Sequence, residues 1–321
     1  MISTKTKSDF IVRLADKSDT LSIRNIWREC FTNDSTYIDN FLNNCFPHSK
    51  SWIALPKNSI DAVAVLSLLP SYFTSNGHCF SGGYIYGVAT LPNYRGNSLS
   101  KILMNAAFEH SSASNLNYLV VKPADEGLYN FYRGQSFDIL INKHAFHIDL
   151  HSYNLDTVHF SEFNSFHSLK SFKNTPEYDI ITQKLFSLRE NEKSDIYLLW
   201  PHSILQYALL DIMSKGGDLH FTYDRKDNLV LYYIEHPVES DSGIIKVIDC
   251  NYKSERDLSL IISHIKSTQE KVKKIVFEGN FNNSPLPSFC ITKEKSALIK
   301  FLDDKINPEF ISNIHLSLPM E

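Results

Sequence analysis

Six consecutive residues, Arg95-Gly96-Asn97-Ser98-Leu99-Ser100, carry the most readable chemistry in the chain. They lie in YIYGVATLPNYRGNSLSKILMNAAFEH, between an apolar strand predicted over Tyr84–Leu91 and a helix predicted from about Ser98 to His110. A helix N-terminus carries partial positive charge and backbone N–H donors without intrahelical partners, which suits a pyrophosphate. Phosphate can approach such a backbone only where the side chains are small. One Gly, one Asn and two Ser meet that need. Pro92 stops the strand, Arg95 pairs with phosphate or holds the loop, and Ser98 is the expected helix cap.

A second candidate is Tyr132, in LYNFYRGQSFD. Asp125 is predicted to cap a helix running to Arg133, with Glu126 favoured in its first turn by the helix dipole. Spacing alone packs Tyr132 beside Phe131 on the inner face of that helix. In HAFHIDLH, His144 and His147 fall on opposite faces of a strand, so no metal site is expected. Cys30, Cys45, Cys79, Cys250 and Cys290 are scattered without a CxxC pair and read as reduced thiols. Trp27, Trp52 and Trp200 are assigned to cores, and KSTQEKVKK to a solvated helix end and turn.

These residues need elements to position them, and the chain supplies an α/β pattern. A helix is expected from Asp19 or Thr20 to Phe31, and another over Tyr37–Phe46. Strands follow over Ser51–Leu55 and Ala62–Leu69, the latter ending at Pro70. Asn117–Lys122 (NYLVVK) reads as a buried parallel strand, and Phe137–Leu150 as one or two more. After a polar link near His151, helices are expected over Asp179–Leu188 and His202–Lys215, then strands over Leu219–Tyr223, Leu229–Glu235 and Ile244–Cys250. A helix over Glu255–Glu270 and a strand over Lys274–Phe277 follow. The order hairpin, strand, helix, strand thus occurs at 51–122 and again at 219–277, as a weak internal repeat.

The 321 residues suit two domains, and 43% hydrophobic composition supplies cores for them. A net charge of −4 and a pI near 6.4 argue against a nucleic-acid partner. MISTKTKSDF lacks the apolar stretch of a signal peptide, and DAVAVLSLLP is too short to span a bilayer. A soluble, cytoplasmic chain is the expectation, with no membrane partner.

VATLPNYRGNSLSKILM resembles motif A of the GNAT superfamily of N-acetyltransferases, which reads Q/R-x-x-G-x-G/A after a strand ending V-x-P-x-Y-R-G. Pro92, Tyr94, Arg95 and Gly96 match, while Ser98 stands for the usual glycine and Ser100 for the usual Gly/Ala. LYNFYRGQSFD is similar to the family's LYxFYxxxGF segment, with Tyr132 and Phe137 matching and Ser136 in the glycine's place. The first half of the chain carries this resemblance. The second half looks like the degenerate second unit of "enhanced intracellular survival" type acetyltransferases, since IIKVIDC runs into NYKSERDL without an Arg-Gly pair. Those relatives usually carry a third, sterol-carrier-like domain, for which this chain is too short by expectation.

The resemblance implies a GNAT fold, with a catalytic domain over 1–150, a degenerate GNAT-like domain over 151–294 and a C-terminal tail over 295–321 that docks on the first domain or adds a strand to either sheet. It implies acetyl-CoA as co-substrate and an amine acceptor as partner. The fourth and fifth strands would part to admit the pantetheine arm. Backbone N–H groups along Val88, Ala89 and Thr90 would hold that arm and the thioester oxygen. Those from Arg95 through Gly96, Asn97, Ser98, Leu99 and Ser100 would hold the pyrophosphate. Tyr132 would be the general acid to the leaving sulfur. Tyr84–Leu91 offers no carboxylate as base, so the candidates are Glu321 at the C-terminus and a water chain through Tyr84 or Tyr86. The aromatic residues of the Pro70–Gly83 loop and the strand after it suggest an apolar or cationic acceptor. Transfer of a longer acyl or aminoacyl group is the alternative, and a non-catalytic acyl-CoA-binding module is another.

Overall fold

The computed structural model describes residues 9–75, 78–151, 165–191, 196–237, 243–269, 271–279, 292–302 and 314–316. They fall into two compact units: Met1–Ile139 with Ala297–Asn307, and Leu140–Ser296 with Pro308–Glu321. Both are mixed α/β.

In the first unit, β1 (Phe10–Leu14) leads to helices α1 (Thr20–Cys30) and α2 (Ser35–Asn40). Strands β2 (Lys50–Pro56), β3 (Ala64–Ser75) and β4 (His78–Thr90) follow, then α3 (Leu99–Ala113), β5 (Tyr118–Val121) and α4 (Glu126–Arg133). Strands β1 to β4 pair antiparallel in sequence order, and β4 pairs parallel with β5. Trp27, Ile26, Leu66, Leu103 and Met104 are fully buried in the core of this unit.

Three local expectations change. Asp19 leaves the head of α1 uncapped, because its carboxylate takes a two-pronged ion pair from Arg13, at 2.7 and 2.8 Å. The helix expected over Tyr37–Phe46 begins earlier, where Asp34 accepts from Thr36 N, and widens into a π turn over Phe41–Cys45. Pro70 does not end β3. The strand runs on to Ser75, with Pro70 opposite Gly83. Pairing with β2 already stops at Leu68, so the missing proline N–H faces an edge with no ladder bond to lose.

In the second unit, β6 (Ile139–Asp149), β7 (His167–Ser168), α5 (Pro176–Glu190), β8 (Ile196–Leu198) and α6 (His202–Ser214) precede β9 (Asp218–Tyr223) and β10 (Leu229–Pro237). Then come β11 (Ile244–Cys250), α7 (Glu255–Thr268), β12 (Lys274–Gly279), β13 (Thr292–Phe301) and β14 (Ile314–Leu316). The sheet runs β6-β12-β11-β10-β9-β7, and α7 buries Leu258, Ile261, Ile262 and Ile265 against it. Strand β13 contributes to both units. Residues 297–301 lie in the first, where Leu298–Phe301 pair with β5. Strand β14 pairs with β8.

The repeated hairpin, strand, helix, strand order is present as β2-β3-β4-α3-β5 and β9-β10-β11-α7-β12. The repeat extends to a defect. Strand β4 carries an extra residue at Gly87–Val88 opposite Leu66, and β11 carries one at Ile248. In each unit the extra residue falls just past the last pair made with the following parallel strand, Ile85↔Val121 and Val247↔Phe277.

Candidate active site

The geometry of the first unit starts at that defect. Strand β4 pairs with β5 from Gly82 to Ile85, where β5 ends at Val121. From Tyr86 to Thr90, β4 pairs on one edge alone, with β3. Leu91 N donates to Val63 O at 2.9 Å on that side. The neighbouring peptide groups alternate in direction, so the N–H and C=O of Thr90 face the open edge, and Val88 two residues earlier shares it. Two donors mark the direction: Cys30 Sγ at 3.5 Å and Arg95 Nε at 3.3 Å both reach Thr90 O.

The turn after β4 is made by a short 3₁₀ helix, Pro92–Tyr94, and then by two residues of positive φ, Gly96 at 82° and Ser98 at 56°. A side chain at Gly96 would meet nothing within 4 Å, so the hollow above it is open. Ser98 occupies the N-cap position but its hydroxyl makes no capping bond. The expected cap is therefore absent: a left-handed residue turns its side chain away from the first helical amides. The consequence favours anion binding. The amides of Gly96, Asn97, Ser98, Leu99, Ser100 and Lys101 have no acceptor among the described residues, and the first helical bond is Ile102 N to Ser98 O. Asn97 braces the turn through Nδ2 to Tyr94 O, 2.9 Å. Ser100 Oγ lies 3.4 Å from Thr90 Oγ1, joining α3 to the end of β4. Arg95 reaches back to the end of β4 through Nε.

Tyr132 sits on α4, whose head is capped as expected by Asp125 Oδ1 accepting from Leu128 N, 3.0 Å. Its ring is buried edge-on against Phe131 and Phe137. Burial pushes the phenol up to about 12. The hydroxyl stays protonated through the neutral range. Glu321 lies outside the described residues.

Sequence reading missed what stands on the other face of the defect. Trp27 of α1 stacks on Phe41 with ring centroids 4.0 Å apart, and Tyr37 and Tyr86 flank it. The Tyr37 and Tyr86 hydroxyls are 2.9 Å apart. Gly87 was the available signal, because glycine inside a strand marks a bulge or a close approach. Its φ is 58°, and a Cβ there would lie 2.5 Å from Trp27 Cζ2.

A strand edge left unpaired past Ile85 and a row of open amides at a helix head form the candidate cleft of this unit. Residues 11–137 match the family described as "Acetyltransferase (GNAT) domain". A conserved protein of Enterococcus faecalis V583, described as a probable N-acyltransferase, superposes with a TM-score of 0.72 at 14% identity, over 91% of this chain and 72% of that one. Eis1 from Mycobacterium abscessus gives 0.60 at 11% identity, over 91% and 73%. A tandem GNAT protein from the clavulanic acid biosynthesis pathway gives 0.50 at 10%, over 91% and 98%. No curated protein matches the chain. Residues 11–137 of this chain therefore match the acetyltransferase domain of the GNAT family, within a two-unit GNAT fold.

Proposed function

We propose that this domain moves an acetyl group from acetyl-CoA to an amine of a small molecule or peptide, by direct attack on the thioester. One observation carries the reading: pairing between β4 and β5 stops at Ile85 and Val121, beside a helix head whose amides are open. The amides from Gly96 to Ser100 hold the pyrophosphate, with the open hollow at Gly96 giving it room. The N–H groups of Val88 and Thr90 bind the pantetheine arm and the thioester oxygen, where negative charge develops. The amine nitrogen bonds to the carbonyl carbon as the carbon–sulfur bond breaks. Tyr132 gives its proton to the leaving sulfur, and the amine's surplus proton passes to Glu321 or along waters at Tyr84 and Tyr86. The Tyr37–Tyr86 hydroxyl pair supports the latter route. We place the enzyme in the cytoplasm; no helix among the described residues is long and apolar enough to cross a membrane.

Calorimetry with acetyl-CoA, then a thiol-release assay over a panel of amines, tests this. The expected result is saturable binding and release of coenzyme A with at least one amine. No binding overturns the reading. Binding without turnover on any amine reduces the domain to an acyl-CoA-binding module.

A further inference from the structure

The two faces of β4 differ sharply at its extra residue. Toward α3 stands Thr90, whose hydroxyl meets Ser100. Toward α1, the floor is glycine: Gly87 has no side chain, and Tyr86 before it leans on the Trp27 ring. The indole fills the room this leaves. Its contact with Gly87 is so close that a single methyl group would not fit between them. Trp27 is fully buried, yet its Nε1–H has no hydrogen-bond partner among the described residues. An unpaired buried donor destabilises the fold. Phenylalanine would stack on Phe41 without that cost, so packing alone does not account for an indole here. What the second ring adds is volume, placed one residue from Val88.

We infer that Trp27, seated on Gly87, sets the size of the acyl group and closes the α1 side of the cleft to chains longer than acetyl. The inference rests on the acyl-CoA reading above and narrows it. An acyl chain extending from a carbonyl held at Val88 toward α1 would meet the indole that packs on Gly87. Excluding a methylene from a filled apolar pocket is worth roughly 10–200-fold.

The test compares acetyl-CoA with hexanoyl-CoA by calorimetry, without any acceptor. Wild type should bind hexanoyl-CoA at least about 10-fold more weakly than acetyl-CoA. Trp27→Phe removes the second ring and the unpaired N–H, and should narrow that ratio several-fold. Trp27→Leu should narrow it further. Thermal melts establish that each variant is folded, and Trp27→Phe suffices if Trp27→Leu is not. Equal binding of both acyl-CoAs by wild type overturns this inference and leaves the acyltransferase reading standing. An unchanged ratio in folded Trp27→Phe also overturns it. Failure of wild type to bind either compound removes the acyl-CoA reading, and this inference with it.

Discussion

Tyr132, proposed above as the general acid, is packed by apolar rings. The residues that bury its ring, Phe131 and Phe137, are the same ones that raise its phenol to about 12. A thiolate leaving group needs a proton donor that is still protonated at neutral pH, and a phenol meets that condition. Tyr132→Phe should keep the fold and lower kcat by about 10²-fold, read by thiol release at saturating acetyl-CoA. Calorimetry should show acetyl-CoA affinity little changed, since the phenol acts on the sulfur as it leaves. Full kcat in the variant would remove Tyr132 from the mechanism.

The turn that carries the open amides gains its shape from backbone conformation. A serine held at φ 56° is strained, because its Cβ crowds the following carbonyl. Glycine would relieve that strain at this position, with part of the gain lost to the greater freedom of the unfolded chain. Ser98→Gly should therefore stabilise the protein by about 0.5–1 kcal/mol, seen as a rise in melting temperature. Acetyl-CoA should bind at least as tightly, because the amides keep their direction and a hydroxymethyl group is gone. A lower melting temperature would show that the serine hydroxyl supports the turn.

The second unit repeats the architecture with a different filling. Ser254 caps α7 by accepting from Asp257 N at 3.1 Å, and Glu255 and Asp257 place two carboxylates in its first turn. Such a head repels phosphate. Where the first unit sets Trp27 against β4, the second sets Arg189 of α5 against Asp249 of β11, a buried ion pair that also takes the Tyr232 hydroxyl at 3.2 Å. Its acid sensitivity lies elsewhere. His264 on α7 accepts the Tyr233 hydroxyl at Nδ1, 2.6 Å, and faces the His220 ring, Glu235 and the Phe166 ring. Burial first, and His220 second, lower it from 6.5 to about 4. The unfolded chain binds this proton as pH drops through 6.5, while the folded unit resists until about 4. This contribution to stability is thus complete above the unfolded value and is lost between it and the folded one. Melting temperature should fall from about pH 7 to about pH 5, and His264→Gln, which still accepts from Tyr233, should flatten that fall. An unchanged slope in the variant would assign the acid sensitivity to other groups.

The sequence by itself determined the helices and strands of the repeated order and the turn from Arg95 to Ser100. Each follows from local causes: apolar periodicity, proline and glycine placement, and an Asp ahead of a helix. The sequence did not show that Ser98 is left-handed rather than a cap, because φ there depends on how β4 hands the chain to α3. Nor did it separate Trp27 from the other core tryptophans. That distinction comes from contacts between α1 and β4, 60 residues apart at Cys30 and Thr90. Tertiary structure alone decided where the extra residue of β4 falls, opposite Leu66, because register is a property of paired strands.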